Sequence, residues 1–141
     1  MPRSSSAGTG VSTIQLLHLA ASKADRIFEE HVGSIEITAR EYEVLAAVAR
    51  HNGLSQTDIM NDTGIDRSTT AQLTTRLVRR GWLQRRRAKH DRRTYRVRLT
   101  EHGKAALAKA GPASLATEKV LLASLAPSQK ADLLEALKRI V

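Results

Sequence analysis

Apolar residues recur at three- and four-residue steps along most of this chain and change to a two-residue step over one stretch, residues 95–99. From 13 to 32, Ile14, Leu17, Ala21, Ala24, Phe28 and Val32 fall on one stripe. They predict an amphipathic helix that Gly33 and Ser34 end. Thr38 reads as the N-cap of a second helix running to about Arg50. Glu41 is its expected capping-box partner, and Tyr42, Leu45, Val48 and Ala49 are its expected inner face. His51, Asn52 and Gly53 supply the stop. Ser55 with Asp58 marks a short third helix, Gln56 to Thr63, broken by Gly64. Asp66 caps a fourth over 67–80 with Ala71, Leu73, Leu77 and Val78 inward, and Gly81 ends it.

The two-residue step predicts a β-hairpin. Trp82 to Arg87 is one strand, Lys89 to Arg92 the turn, and Thr94 to Leu99 the other strand. Tyr95, Val97 and Leu99 share its core face, and Arg96 and Arg98 the opposite face. Thr100 caps a fifth helix from Glu101, and the pattern leaves open whether Gly111-Pro112 breaks it. Pro127 opens a last helix with Leu133, Leu134, Leu137, Ile140 and Val141 on one face. The expected fold is mainly α with a small antiparallel β-hairpin. Residues 1–11, rich in Ser and Gly, are expected to be a disordered tail from which Arg3 could reach a phosphate. No run approaches the roughly 20 apolar residues of a membrane span, and the first residues lack a signal-peptide core.

Charge sharpens this picture. Between Arg76 and Arg98 lie eleven arginines and lysines and a single acid, Asp91, giving +10 where the whole chain carries +9. Outside that window the chain sums to −1, so the positive charge is local to the fourth helix and the hairpin. Such density marks a nucleic-acid contact. The chain has no cysteine, which excludes disulfides, thiolate metal sites and cysteine redox sensing. His18, His31, His51, His90 and His102 are scattered without ligand spacing, so no metal or cofactor is expected. No paired-carboxylate site, nucleophile elbow or phosphate-binding glycine loop is present. Ser68 has no evident base partner, and no enzymatic activity is expected.

A short helix, a glycine turn and a second helix form the helix-turn-helix pattern. Arg67, Ser68, Thr69, Thr70 and Gln72 stand at the leading face of the second helix. Arg and Gln can pair with guanine and adenine edges, and small hydroxyls allow close approach. The helix N-terminus also offers backbone N–H groups to phosphate. The bland alternative for the hydroxyls is ordinary capping. Arg79 and Arg80 fit either the helix dipole or a phosphate contact. In the hairpin, Arg85, Arg86, Arg87, Lys89, Arg92 and Arg93 crowd one tip, which suits a narrow, negative minor groove. Asp91 is expected to orient a neighbouring arginine such as Arg93.

The run Asp91-Arg92-Arg93-Thr94-Tyr95-Arg96-Val97-Arg98-Leu99-Thr100-Glu101-His102-Gly103 resembles the wing pattern of the MarR family of winged helix-turn-helix regulators, Asp-x-Arg followed by Leu-Thr-x-x-Gly. Ser68-Thr69, Arg76-Leu77 and Gly81-Trp82-Leu83 resemble that family's recognition helix and helix-to-wing junction. The resemblance covers residues 12–141. It implies a homodimer in which 12–33 and 101–141 form a helical dimerisation region and 38–100 a DNA-binding lobe on each half of a pseudo-palindrome. It also implies a repressor released by a small anionic, often aromatic, ligand, in the cytoplasm of a bacterium or archaeon at the nucleoid. The DNA contacts expected are Arg67, Ser68, Thr69, Thr70, Gln72, Arg76, Arg86, Lys89, Asp91, Arg92 and Arg93. His18, Ser22, Arg26 and Tyr42 are the candidate ligand residues, with a solvated helix edge as the alternative. The rival function is a non-specific architectural nucleic-acid-binding protein.

Overall fold

The computed structural model describes residues 10–51 and 53–141, with the backbone alone at residues 88 and 91–93. The expected tail with Arg3, the Asn52 part of the helix stop, and the side-chain roles given to Asp91, Arg92 and Arg93 lie outside the described residues. Among the described residues the order is α1 (Thr13–His31), a 3-10 turn (Gly33–Ile35), α2 (Ala39–Arg50), β1 (Leu54–Ser55), α3 (Gln56–Thr63), α4 (Arg67–Arg79), β2 (Leu83–Ala88), β3 (Asp91–Leu99), α5 (Glu101–Leu121) and α6 (Pro127–Ile140). The mainly helical fold with a small antiparallel sheet is as expected.

Caps set most of these boundaries. Ser12, Thr38, Ser55, Asp66 and Thr100 each accept a hydrogen bond from a backbone N–H of the first turn that follows. Ser55 and Asp58 form the reciprocal capping box. Gly64 closes α3 with φ +70°, a left-handed conformation that side chains resist, and so turns the chain into α4. The core lies where α2, α3, α4 and the sheet meet. It is built on Val44, Leu45, Val48, Ile59, Leu77, Leu83 and Val97. Helix α5 lays a stripe of small residues (Gly103, Ala106, Ala110, Ala113 and Thr117) inward and packs along α1.

Several expectations change. The hairpin gains a third strand: β1 pairs with β3, giving the order β1-β3-β2. Two residues are too short to show a two-residue pattern, which is why β1 did not stand out. Strand β3 begins at Asp91, and the turn shrinks to Lys89 and His90. Pairing runs regularly from Leu83↔Leu99 to Arg87↔Tyr95, then shifts to Ala88↔Asp91, so residues 92–94 form a bulge in β3. Helix α5 runs through Gly111-Pro112 unbroken, because Ala110, Ala113 and Thr117 stay packed on both sides of the proline. Ala49 is exposed; Val44 and Ala47 take the inner positions on α2. The α1 stripe is buried only at its C-terminal end, by Phe28 and the flanking Ile27 and Val32, whereas Ile14 and Leu17 are exposed. Helix α6 buries no residue, and Leu134, Ile140 and Val141 face solvent.

Candidate nucleic-acid interface

Helix α4 presents the candidate reading face. Its position is fixed at the N-terminus by the Gln56 side chain, whose Nε2 donates to the Arg67 carbonyl at 3.2 Å. Arg67, Ser68 and Gln72 are exposed. Thr69 divides its loyalty: its N–H and its hydroxyl both donate to the Asp66 carboxylate at 2.8 Å. These bonds hold Asp66 below the ordinary aspartate range. They also place a negative charge where a bare helix N-terminus would attract phosphate, so the backbone-amide contact expected there is partly occupied from within. Thr70 is a correction. It is fully buried, with its hydroxyl donating to the Ile65 carbonyl at 3.3 Å, so it packs the turn and cannot reach a base. The same inward face carries Leu73, Thr74 and Leu77, and Ala71 is half-buried.

The wing is tied to this helix. In the β2–β3 register, Leu83, Arg85 and Arg87 oppose Leu99, Val97 and Tyr95 on one face. Gln84 and Arg86 oppose Arg98 and Arg96 on the other. The arginine run is thus split by strand parity. Arg85 turns toward α4 and donates to the Thr75 hydroxyl at 2.7 Å. Arg87 lies 5.7 Å from the Tyr95 ring centroid. Arg86 and Lys89 are exposed. Tyr95, expected in the core with Val97, is instead exposed at the outer end of that face, where the helices no longer cover the sheet. Arg96 donates to the Gly53 carbonyl at 3.4 Å, which anchors the opposite face to the loop before β1.

The arginines at the end of α4 have structural partners. Arg80 donates to the carbonyls of Glu36 and Ile35 at 2.6 and 2.8 Å and stacks on Trp82 at 3.7 Å. Glu36 is left-handed, φ +53°, and Arg80 holds its carbonyl in place. Arg76 donates to Glu41 at 3.0 Å, and Arg80 approaches the other Glu41 oxygen at 3.5 Å. Glu41 is therefore no capping-box partner. Its backbone N–H meets Thr38, but its side chain is buried and turned to α4. Sequence reasoning missed this role, although an acid in step with Val44, Leu45 and Val48 was a signal of a buried partner. Arg79 is exposed at the helix end.

The junction explains the Leu-Thr-x-x-Gly motif. Thr100 N–H donates to the Trp82 carbonyl at 3.1 Å and its hydroxyl to Gly81. A Cβ on Gly103 would stand 2.0 Å from the Trp82 carbonyl oxygen, so only glycine fits. The candidate ligand residues are not gathered in the same way. His18, Ser22 and Arg26 lie on the exposed side of α1, while Tyr42 is half-buried against Phe28 with ring centroids 5.3 Å apart.

Residues 35–94 match the model of the MarR family. The multiple antibiotic resistance protein MarR of Escherichia coli is 28% identical over 91 residues, which are 64% of this chain and 63% of that protein's length. The PcaV transcriptional regulator of Streptomyces coelicolor, solved in complex with its natural ligand, superposes with a TM-score of 0.85 at 29% identity, covering 95% of this chain and 96% of that one. BpsR of Bordetella bronchiseptica, whose DNA binding is regulated by 6-hydroxynicotinic acid, gives 0.82 at 26% identity over 89% and 95% of the two chains. The fold is the winged helix-turn-helix fold of these regulators. Over residues 35–94, the span of the helix-turn-helix and most of the wing, the chain is similar to the MarR family.

Proposed function

We propose that this chain acts as a homodimeric repressor that binds a pseudo-palindromic operator and is released by a small aromatic or anionic ligand. The observation that carries the DNA reading is the exposed face of Arg67, Ser68 and Gln72 on a helix that Arg85 joins to a basic wing. In this reading Arg67, Ser68 and Gln72 meet base edges in the major groove. Ser68 and the half-buried Thr69 allow close approach. Arg86, Lys89, Arg92 and Arg93 neutralise phosphates or enter the minor groove, and Asp91 orients Arg93. Residues 38–100 are then the DNA-binding lobe, and 12–33 with 101–141 the dimerisation region.

The dimer reading rests on the apolar residues left exposed on α1 and α6. The effector reading rests on BpsR, whose DNA binding is regulated by 6-hydroxynicotinic acid, and on PcaV, solved in complex with its natural ligand. His18, Ser22, Arg26 and Tyr42 are proposed to hold such a ligand. The protein works without a cofactor or catalytic step, in the cytoplasm at the nucleoid.

A mobility-shift titration on the DNA flanking its gene, with a panel of aromatic acids added, tests this. Retardation of one segment over competitor DNA, reversed by an acid of the panel, is the expected result. Equal binding to all duplexes at moderate salt would favour the non-specific architectural role instead.

A further inference from the structure

Two arginines of the α4 end converge on one buried acid, and their commitments differ. Arg80 is committed elsewhere: its guanidinium serves two backbone carbonyls and stands 3.7 Å over the Trp82 ring. Its 3.5 Å approach to Glu41 Oε2 makes no hydrogen bond, and that oxygen has none from any described residue. Arg76 alone therefore gives Glu41 a direct hydrogen bond, 3.0 Å to Oε1. Arg76 also stands four residues after Gln72 and lines the same shallow groove with Ala71, Thr75 and Arg79. Its side chain is 57% exposed, whereas that of Glu41 is 3% exposed.

We infer that Glu41 is a positioning residue for the DNA-reading face: it pins Arg76 in place and cancels its charge. This rests on the DNA-binding reading above and adds a restraint to it. If Arg76 swung out to a phosphate, the almost wholly buried Glu41 would lose its direct hydrogen bond and keep only the 3.5 Å ion pair with Arg80, and under-satisfying a buried charge is unfavourable. Arg76 accordingly stays at its place beside Gln72 and adds little to counterion release. The reading helix keeps its hydrogen-bonding surface beside Gln72, and the positive charge open to DNA lies with Arg67, Arg79 and the wing. Operator preference is protected because a mobile cation on the reading face would favour every duplex alike.

The test is the salt dependence of binding to a random duplex, measured for the full chain. Glu41→Gln keeps size and an acceptor for Arg76 but removes the negative charge. Its plot of log affinity against log salt should steepen by about 0.9, one more phosphate neutralised. E41Q/R76Q should return to the wild-type slope. Glu43→Gln, which neutralises an exposed acid paired with Arg40 on the same helix, should leave the slope unchanged. An E41Q slope equal to wild type, or a steepening that survives R76Q, overturns the inference. Should E41Q melt out, R76Q alone decides: an unchanged slope supports the restraint, and a slope flattened by about 0.9 makes Arg76 an ordinary phosphate contact. Wild-type protein that binds no duplex would overturn the DNA reading itself, an outcome distinct from unchanged slopes.

Discussion

At the residue scale, the sharpest constraint is Gly103. The Trp82 carbonyl it faces is also the acceptor for Thr100 N–H, so the carbonyl cannot retreat from an added methyl group. Gly103→Ala should destabilise the fold by about 1–3 kcal/mol, the usual cost of overpacking, read as a lower urea midpoint with an unchanged m-value. Two caps carry a pH signature. Asp58 is held below the ordinary aspartate range first by the Ser55 backbone N–H, and Asp66 first by that of Thr69. A carboxylate with a depressed folded pKa contributes stability that is full above its unfolded value, about 3.9, and lost as pH falls through the folded one. The urea midpoint of wild type should exceed that of a D58N/D66N variant at pH 6, and the gap should narrow as the pH falls below about 3.9. A gap independent of pH would show that the caps gain nothing from charge. Residue roles were the least legible part of the sequence. Thr70 and Ser68 look alike on paper, yet helical phase puts one in the core and the other in solvent. Glu41 fits a capping box in sequence, but two arginines distant in the chain compete for it more effectively.

At the element scale, the helices were legible because each carries its own start signal. The caps Thr38, Ser55, Asp66 and Thr100 stand where the sequence puts them. What needed the structure was whatever one element does to another. Strand β1 exists because Leu54 and Ser55 lie beside Val97 and Arg96. The continuity of α5 depends on packing against α1, and the exposure of Tyr95 on where the helical cover ends. The wing and α4 should divide labour in solution. Gln72→Ala should cost about 1–3 kcal/mol at one base pair and relax preference there alone. Arg86→Gln should weaken binding to all sequences alike and flatten the salt slope by about 0.9. Titrations on an operator, a singly substituted operator and a random duplex at several salt concentrations separate the two. Identical profiles for the variants would contradict the division.

At the scale of the whole molecule, exposed apolar surface is unevenly placed. Ile14 is 66% exposed, Leu134 53% and Ile140 70%, and all lie on the first and last helices, while the lobe between them buries its large aliphatic residues well. Apolar residues gathered on the terminal helices of a chain with a closed core are the kind of surface that marks an interaction site. In the proposed dimer a second copy covers this surface, and one symmetry axis then serves both ends: it buries α1 and α6 and sets the two wings on half-sites about 10 base pairs apart. Sedimentation equilibrium should give twice the 15.5 kDa chain mass. Leu134→Glu with Ile14→Glu places charge on both apolar faces, away from the lobe core. That variant should sediment as a monomer, keep its helical circular dichroism and lose most operator affinity, because a single lobe makes half the contacts. A variant that stayed dimeric would place the interface elsewhere. A monomer that bound the operator undiminished would remove the need for a pseudo-palindrome.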